Sequence, residues 1–278
     1  MKVLLCPNVL RDTDLAVTKQ VDSMLKERGE ITVLRPVSEG DEEELKVITN
    51  EAKDADMAII FGGDGTILKI ARAVAEYDVP IIAVNLGDMG FMAELEPYEV
   101  DGIKQVLDGD YKIVNRIMLD VSLTRDGETV FEDFALNDVV IKGINKVITL
   151  ELFGDDNAIS SFTGDGAVIA TPTGSTGYSM SAGGPIVEPD ASNIIITPIC
   201  PHVLTAKSFV LAPERVVRVV LGGRKVNTTV MIVDGSDITS FKEGDELVVK
   251  VSKRRAKFIS LSNRSFYKKV YEKLGEGK

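Results

Sequence analysis

The chain has 278 residues, which is enough to bury a large core in one domain or in two smaller ones. Its 32 basic and 43 acidic residues give a net charge of −11, which argues against non-specific binding to nucleic acid or to an anionic membrane. Two cysteines and one histidine favour a cytoplasmic protein without a disulfide scaffold or a multi-histidine metal site, and no apolar stretch is long enough for a signal peptide or a membrane span.

Strands and helices alternate along the first third of the chain. Short apolar runs predict strands at residues 3–6, 31–34, 57–61 and 80–84. Apolar residues at helical spacing predict helices after the first three of these strands, at about residues 15–29, 45–52 and 67–75. The alternation predicts an α/β domain with a doubly wound parallel sheet at residues 1–97.

The remainder of the chain is rich in β-branched residues and turn signals, after one more predicted helix at residues 98–107. The predicted strands lie at residues 117–124, 129–134, 138–141, 147–153, 167–170, 194–196, 216–221, 228–233 and 246–251. They predict a second, mostly antiparallel all-β domain at residues 98–259. A last helix at residues 265–274 is expected to pack back on the first domain, so that residues 260–278 join it.

A glycine-rich loop, Gly62-Gly63-Asp64-Gly65-Thr66, lies between the predicted strand at 57–61 and the following helix. Open α/β sheets bind ligands at the carboxyl ends of their strands, and glycines let the backbone approach a bulky anion. A carboxylate among bound phosphates fits a proton acceptor or a partner for a cation, both of which indicate phosphoryl transfer. The alternative is a glycine turn in which Asp64 caps the helix.

A second dense stretch, residues 171–181, reads Thr-Pro-Thr-Gly-Ser-Thr-Gly-Tyr-Ser-Met-Ser. Tyr178 offers a flat face to an adenine ring, and the hydroxyl groups can hydrogen-bond the edge of that ring. Ser175 is predicted to cap a short helix. The alternative is an ordinary Ser/Thr loop with a core-facing tyrosine.

Four further residues are candidates for ligand contacts. Asn137 and Asp138 precede a predicted strand and can bind a base edge and ribose hydroxyls, or they form a strand-entry turn. Asp165 lies between two glycines and is either a ligand contact or a turn residue. Lys69 follows the glycine loop on the helix and either reaches back to a phosphate or is a solvated surface lysine.

Together these stretches resemble the NAD kinase family over nearly the whole chain. The matching segments are residues 62–66, 87–91, 137–138, 164–166, 171–181, 182–185 and 199–202. The Gly-Gly-Asp-Gly-Thr loop also occurs in lipid kinases, and a similar loop occurs in phosphofructokinases, whereas residues 171–178 resemble NAD kinases specifically. One departure concerns the acid at Asp138, where the family usually has the longer glutamate.

The resemblance implies transfer of the γ-phosphoryl group of ATP, or of another phosphate donor, to the 2′-hydroxyl of the adenosine ribose of NAD, which produces NADP. It implies Asp64 as the catalytic carboxylate, and Gly62, Gly63 and Lys69 at the donor phosphates. The residues that it implies for NAD are Gly65, Asn137, Asp138, Asp165, Thr173, Thr176, Gly177, Tyr178, Ser179, Met180 and Ser181. It also implies Mg²⁺ held mainly by the donor phosphates without a protein metal site, and a homo-oligomer, either a dimer or a tetramer.

Two other functions remain open at this point. A lipid kinase with the same glycine loop would share Asp64 but would not need residues 171–181 to read adenosine. A non-catalytic dinucleotide sensor would bind NAD or NADP but would not need Asp64.

Overall fold

The computed structural model describes residues 1–38, 41–88, 90–222, 229–261 and 266–275. The chain divides into two units, one formed by Met1–Asn115 with Arg255–Lys278 and the other by Arg116–Arg254. The first boundary falls after residue 115, whereas the sequence places it after residue 97. The boundary falls later in the chain because Val100, Ile103 and Val106 are buried in the same apolar cluster as residues of the first strands.

The first unit is built on a parallel sheet. Its strands are β1 (Lys2–Pro7), β2 (Ile31–Leu34), β3 (Met57–Gly62) and β4 (Ile81–Asn85). They are ordered β2-β1-β3-β4, and each pairs in parallel with its neighbour, which confirms the predicted sheet. Every residue of β3 and β4 is buried, as expected for strands that are covered on both faces.

Helices cover this sheet. They are α1 (Ala16–Glu27), α2 (Glu42–Ala52), α3 (Asp64–Ala75), α4 (Ile103–Leu107) and the carboxyl-terminal α6 (Phe266–Gly275). The helix predicted at residues 98–107 is a 3₁₀ turn, Pro97–Gly102, that leads into α4. Val21 and Leu25 of α1 share one cluster with Ile103 and Val106 of α4, whereas α2 and α3 contact each other.

The carboxyl-terminal helix packs on the first unit, as predicted. The Lys269 ammonium group donates a hydrogen bond to the Ala93 carbonyl at 2.6 Å, and Lys273 lies 3.6 Å from the Glu96 carboxylate. The Glu94 carboxylate accepts a hydrogen bond from the Leu261 amide at 2.8 Å, which fixes the chain just before the helix. Among the described residues, no helix has the length and apolar character needed to span a bilayer.

The second unit is a mostly antiparallel β structure, as predicted. The strands of the second half of the chain are β5 (Lys112–Arg125), β6 (Glu128–Ala135), β7 (Asp138–Gly143), β8 (Ile148–Gly154), β9 (Asn157–Gly164), β10 (Gly166–Ala170), β11 (Ile194–Ile199), β12 (Phe209–Leu211), β13 (Val217–Gly222), β14 (Thr229–Val233), β15 (Asp237–Phe241) and β16 (Glu246–Ser260). One six-stranded sheet has the order β12-β11-β10-β7-β14-β15, and its pairs are all antiparallel. Strands β13, β8 and β9 pair in that order beside β16, and β5 pairs with β16 and β6. Side chains from both groups of strands form one apolar core, including Ile141 and Ile169 on one side and Leu150 and Val219 on the other.

Three strands were missed by the sequence analysis, namely β9, β12 and β15. Strand β9 contains Ser160, Ser161 and Thr163, which do not give an apolar run. Strand β12 has only three residues at the edge of its sheet. Each of these strands exists because a stronger neighbour offers it a ladder of hydrogen bonds, which is a tertiary effect.

Candidate active site

The glycine-rich loop joins β3 to α3 as expected. Gly63 is the residue before the helix and has an extended backbone, and Asp64 is the first residue of α3. Gly65 is exposed, and a Cβ atom added there would meet nothing within 4 Å. The loop therefore presents an open backbone surface at the amino terminus of a 12-residue helix, where the helix dipole favours an anion.

The carboxylate of Asp64 is held by the loop that follows β4. Its Oδ2 atom accepts a hydrogen bond from the Phe91 amide at 3.0 Å, and its Oδ1 atom accepts one from the Met92 amide at 3.0 Å. These two bonds fix the plane of the carboxylate, while each oxygen keeps a second lone pair. Asp64 is half-buried, so a ligand hydroxyl can reach the remaining acceptor positions.

Close packing between glycines brings these two loops together. A Cβ atom added to Gly87 would lie 2.7 Å from the Gly63 Cα atom, which no side chain tolerates. Gly90 has a φ of +65°, and a Cβ atom there would lie 2.5 Å from the Asn85 side-chain nitrogen. The segment at residues 87–91 thus supports the glycine loop, although its Met89 lies outside the described residues.

A cleft of about 370 Å³ adjoins the glycine loop within the first unit. The residues that line it are Asn8, Arg11, Val37, Ser38, Gly63, Gly65, Thr66, Lys69 and Ile70. Arg11 and Lys69 give this wall positive charge, and the Asn8 amide donates a hydrogen bond to the Thr66 hydroxyl at 2.9 Å. Lys69 therefore lies at the cleft beside the glycine loop.

Asn8 and Arg11 were missed by the sequence analysis, although a signal for them exists. Both follow β1, and Val37 and Ser38 follow β2. Because the carboxyl ends of parallel strands meet at one edge of a sheet, polar residues after β1 are expected near the loop that follows β3.

In the second unit, Asn137 and Asp138 lie at the start of β7 and are held by Asp234. One oxygen of the Asp234 carboxylate accepts hydrogen bonds from the amides of Asn137 at 2.8 Å and Asp138 at 2.9 Å. The other oxygen accepts one from the Leu136 amide at 2.7 Å. Burial of Asp138, followed by the nearby charge of Asp234, raises the pKa of the Asp138 carboxyl to about 7.

The segment at residues 171–178 packs directly against this turn. The Thr171 hydroxyl donates a hydrogen bond to the Leu136 carbonyl at 2.6 Å, and the Thr171 amide donates one to the Asn137 carbonyl at 2.8 Å. A Cβ atom added to Gly177 would lie 3.7 Å from the Asn137 side-chain nitrogen and 3.8 Å from an Asp138 carboxyl oxygen. The structure therefore brings Asn137, Asp138 and Gly177 together.

Two buried polar atoms at this place have no hydrogen-bond partner among the described residues. They are the Asn137 side-chain carbonyl oxygen and the Thr173 hydroxyl oxygen. Buried polar atoms are nearly always paired in folded proteins, because an unpaired group retains the full cost of desolvation. These two atoms are suited to hydrogen-bond a bound ligand.

Tyr178 and Asp165 line a second cleft of about 360 Å³ within the second unit. Its other lining residues are Lys142, Gly143, Asn145, Lys146, Val147 and Ile199. The side chain of Tyr178 is 41% exposed, which contradicts the alternative of a core-facing tyrosine. Asp165 is exposed, with its backbone fixed by a hydrogen bond from its amide to the Ile199 carbonyl at 3.0 Å.

Four residues of the segment at 171–181 that the sequence analysis treats alike differ in their burial and contacts. Ser179 is fully buried, and its hydroxyl lies 3.0 Å from that of Thr197, so in this structure it supports the segment and does not line a cleft. The Thr176 hydroxyl donates to the Thr173 carbonyl at 3.3 Å, whereas Met180 is half-buried and Ser181 is exposed.

The prediction that Ser175 caps a helix is wrong. Its hydroxyl donates to the Pro172 carbonyl at 2.6 Å and accepts a hydrogen bond from the Val187 amide at 3.0 Å, inside the 3₁₀ turn Thr173–Thr176. The short helix α5 (Tyr178–Ser181) instead begins after Gly177, which has no side chain to cap it. Ser175 therefore ties the segment to residue 187.

The described residues contain no group of three or more histidine, cysteine, aspartate or glutamate side chains that could hold a metal ion. Near the glycine loop, both oxygens of the Asp64 carboxylate already bind backbone amides.

Comparisons with known proteins assign both halves of the chain. The family model described as the ATP-NAD kinase N-terminal domain matches residues 8–111, and the one described as the ATP-NAD kinase C-terminal domain matches residues 136–261. The NAD kinase of Carboxydothermus hydrogenoformans is 40% identical over 236 residues, which are 84% of each chain. The NAD kinase of Acetivibrio thermocellus is 36% identical over 283 residues, which are 98% of each chain.

Two solved structures share the fold. The crystal structure of yeast NADH kinase complexed with NADH has a TM-score of 0.86 at 22% identity, and the match covers 100% of this chain and 88% of that one. An NAD kinase from Archaeoglobus fulgidus in complex with ATP has a TM-score of 0.74 at 25% identity, and the match covers 99% of both chains.

Proposed function

The chain belongs to the NAD kinase family, and we infer from this that it transfers the γ-phosphoryl group of ATP to the 2′-hydroxyl of the adenosine ribose of NAD, producing NADP. The single observation that carries the chemistry is the carboxylate of Asp64, which two backbone amides orient beside an open glycine loop. In phosphoryl transfer, positioning and charge stabilisation supply most of the catalysis, so such a fixed acceptor is what the reaction needs.

For the first unit, we propose that Asp64 accepts the proton of the attacking ribose hydroxyl. Gly62 and Gly63 allow the backbone to approach the donor phosphates, and Gly65 leaves room beside them. The positive charges of Lys69 and Arg11 balance the charge of the triphosphate, since both line the cleft beside the loop. Asn8 keeps Thr66 in place through its hydrogen bond to the hydroxyl.

For the second unit, we propose recognition of the NAD adenosine. The unpaired oxygens of Asn137 and Thr173 are suited to the polar edge of adenine or to a ribose hydroxyl, and Asp138 to a ribose hydroxyl. Gly177 leaves space beside them. Thr176, Met180 and Ser181 lie on the same segment and complete the proposed surface.

Tyr178 and Asp165 have separate proposed roles. The exposed ring of Tyr178 provides a stacking surface for the adenine. Asp165 lines the same cleft and is proposed to bind the nicotinamide end of NAD. Ser179 is proposed to act indirectly, by anchoring the segment through Thr197.

We further propose that the reaction uses Mg²⁺ bound to ATP. The cation would be held mainly by the donor phosphates, with Asp64 near the transferred group, and it would neutralise charge that develops there. We also propose that the protein is a homodimer or a homotetramer, which the family relationship supports. We propose a cytoplasmic location, because the exposed free thiol of Cys200 fits a reducing compartment.

The proposal is tested by incubating purified protein with NAD, Mg²⁺ and one phosphate donor at a time, and by measuring NADP. ATP, other nucleoside triphosphates and polyphosphate serve as donors, and a chelator arm tests the need for the cation. Parallel arms with NADH and with a diacylglycerol emulsion test the acceptor. We expect NADP from NAD and ATP; phosphorylation of the lipid alone would overturn the proposal, and tight NAD binding with no product from any donor would indicate a sensor.

A further inference from the structure

The Asp-Gly pair at residues 234–235 is the connection between β14 and β15. An Asp-Gly pair is typical of a hairpin turn, and the backbone agrees, because Asp234 has a φ of +46° and Gly235 a φ of +76°. Aspartate, asparagine and glycine tolerate this region, which explains the residue types. The turn does not explain where the side chain points.

The side chain of Asp234 leaves the turn and enters the start of β7. Its two oxygens accept the amides of residues 136, 137 and 138 at 2.7, 2.8 and 2.9 Å. The Asp234 amide in turn donates a hydrogen bond to the Asp138 carbonyl at 2.9 Å. One carboxylate therefore fixes the three consecutive peptide groups that carry Asn137 and Asp138.

The burial of Asp138 and Asp234 next to each other is costly for the fold, which indicates that the pair has a purpose beyond the turn. Asp138 is 6% exposed and Asp234 is 7% exposed, so two carboxyl groups are buried next to each other. Burial, followed by the nearby charge of Asp234, raises the pKa of the Asp138 carboxyl to about 7. A hairpin turn needs neither the burial nor the second acid.

We propose that Asp234 is a positioning residue for NAD, which holds the backbone of residues 136–138 so that the Asn137 and Asp138 side chains face the nucleotide. This inference rests on the proposed NAD site, and it adds a residue that lies 96 positions away from Asp138 in the sequence. Asp234 acts through the backbone and makes no contact with the substrate. Among the described residues, its carboxylate is the only side-chain group that joins all three amides.

The test uses Asp234→Asn, because Asn-Gly is at least as good a turn as Asp-Gly. An asparagine oxygen can accept the amides of residues 137 and 138, but its NH₂ group would then face the Leu136 amide, so one hydrogen bond is lost and two donors meet. We expect the KM for NAD and the calorimetric Kd for NAD to rise by about tenfold. The kcat and the KM for ATP should stay within about twofold.

The matched control is Asp126→Asn in the β5–β6 hairpin. Asp126 and Gly127 also have positive φ values, of +51° and +81°, but the side chain of Asp126 is exposed. This variant should leave both KM values and NAD binding unchanged. A second test variant is Asp234→Gly. Glycine adopts the positive φ of this turn without strain, so the backbone is preserved while all three side-chain hydrogen bonds are removed.

A double-mutant cycle asks whether Asp234 acts through Asp138. If it does, Asp234→Asn should cost less NAD affinity in an Asp138→Asn background than in the wild type. Unchanged NAD affinity in Asp234→Asn would overturn the inference. Equal loss of NAD and ATP affinity, or failure of both Asp234 variants to fold, would make Asp234 a structural residue and would also overturn it.

Calorimetry separates this inference from the proposed function. A wild-type protein that forms no NADP would overturn the proposed reaction, whereas NAD titration of the wild type and of Asp234→Asn still decides the positioning role. A wild type that binds no NAD would overturn both.

Discussion

The glycine loop of the first unit and the Asn137–Asp138 turn of the second unit each present a carboxyl group, but they hold it in different ways. Asp64 is half-buried, and its oxygens accept amides from a neighbouring loop. Asp138 is buried, lies beside the charge of Asp234 and has a pKa raised to about 7. The first arrangement suits a group that accepts a proton during a reaction, and the second suits a group whose protonation and orientation select a ligand.

The two regions also differ in what supports them. Glycine contacts and backbone hydrogen bonds within one unit hold the first region, at the carboxyl ends of parallel strands. Side-chain carboxylates and hydroxyls, including those of Asp234 and Thr171, hold the second. We therefore expect substitutions in the first region to affect mainly kcat, and those in the second to affect mainly NAD binding.

The largest expected effect comes from Asp64→Asn. A positioned base contributes roughly 10²–10⁴-fold to the rate, so kcat should fall by that factor while the calorimetric Kd for NAD changes little. An asparagine NH₂ group would also face the Phe91 or the Met92 amide, so the melting temperature should drop.

The control for this prediction is Asp54→Asn, whose carboxylate is 82% exposed. It should retain wild-type kinetics and stability. An Asp64→Asn enzyme that keeps more than about a tenth of wild-type kcat would assign Asp64 a structural role in the loop.

The second prediction concerns pH and Asp138. Folding raises the pKa of its carboxyl from an ordinary value of 3.8 to about 7, so between these values the folded state binds a proton that the unfolded state lacks. The free energy of unfolding should therefore decrease as pH rises from about 4 to about 7, by on the order of 4 kcal/mol from this group.

Asp138→Asn removes the titrating carboxyl group from the second unit. Denaturant unfolding of the wild type and the variant at pH 5 and pH 8 should show that the variant is relatively more stable at the higher pH. Its NAD affinity should be lower, since a neutral amide forms a weaker hydrogen bond to a ribose hydroxyl than a carboxylate does. Identical pH dependence in the two proteins would contradict the raised pKa.

The third prediction is that Tyr178→Ala weakens NAD binding. Base–aromatic stacking contributes about 1–3 kcal/mol, which corresponds to roughly five- to 150-fold in Kd. Because the ring is 41% exposed, the melting temperature should change little. Tyr98→Ala, at a ring that is 82% exposed in the first unit, is the control; normal NAD binding by Tyr178→Ala would remove this ring from the site.

The smallest expected effect comes from Arg11→Ala at the cleft beside the glycine loop. An exposed charge contributes about 0.2–1 kcal/mol, so the KM for ATP should rise by less than about fivefold. The effect should shrink as salt increases, because exposed charges are screened. Arg28→Ala, which removes an exposed arginine paired with Asp108, serves as the control. A larger effect on the KM for NAD than on the KM for ATP would contradict the proposed role of Arg11 at the triphosphate.

The main elements and most of the residues proposed for the site could be predicted from the sequence. Continuous apolar runs such as residues 57–61 specify buried parallel strands, and the glycine loop follows from its position at the end of one. These are local patterns, so they can be read without knowing what lies beside them. The same is true of the Asn137–Asp138 pair and of Tyr178, whose residue types suit nucleotide binding.

The hydrogen-bond partners and the burial of these residues depend on the tertiary fold and could not be predicted from the sequence. Asp64 depends on amides 27 and 28 positions away, and Asp138 depends on Asp234, which is 96 positions away. Ser179 and Tyr178 are neighbours in sequence, yet one is fully buried against Thr197 and the other is exposed at a cleft. Burial and hydrogen-bond partners depend on which distant strands pair and how closely they pack. A local sequence pattern does not specify those long-range contacts.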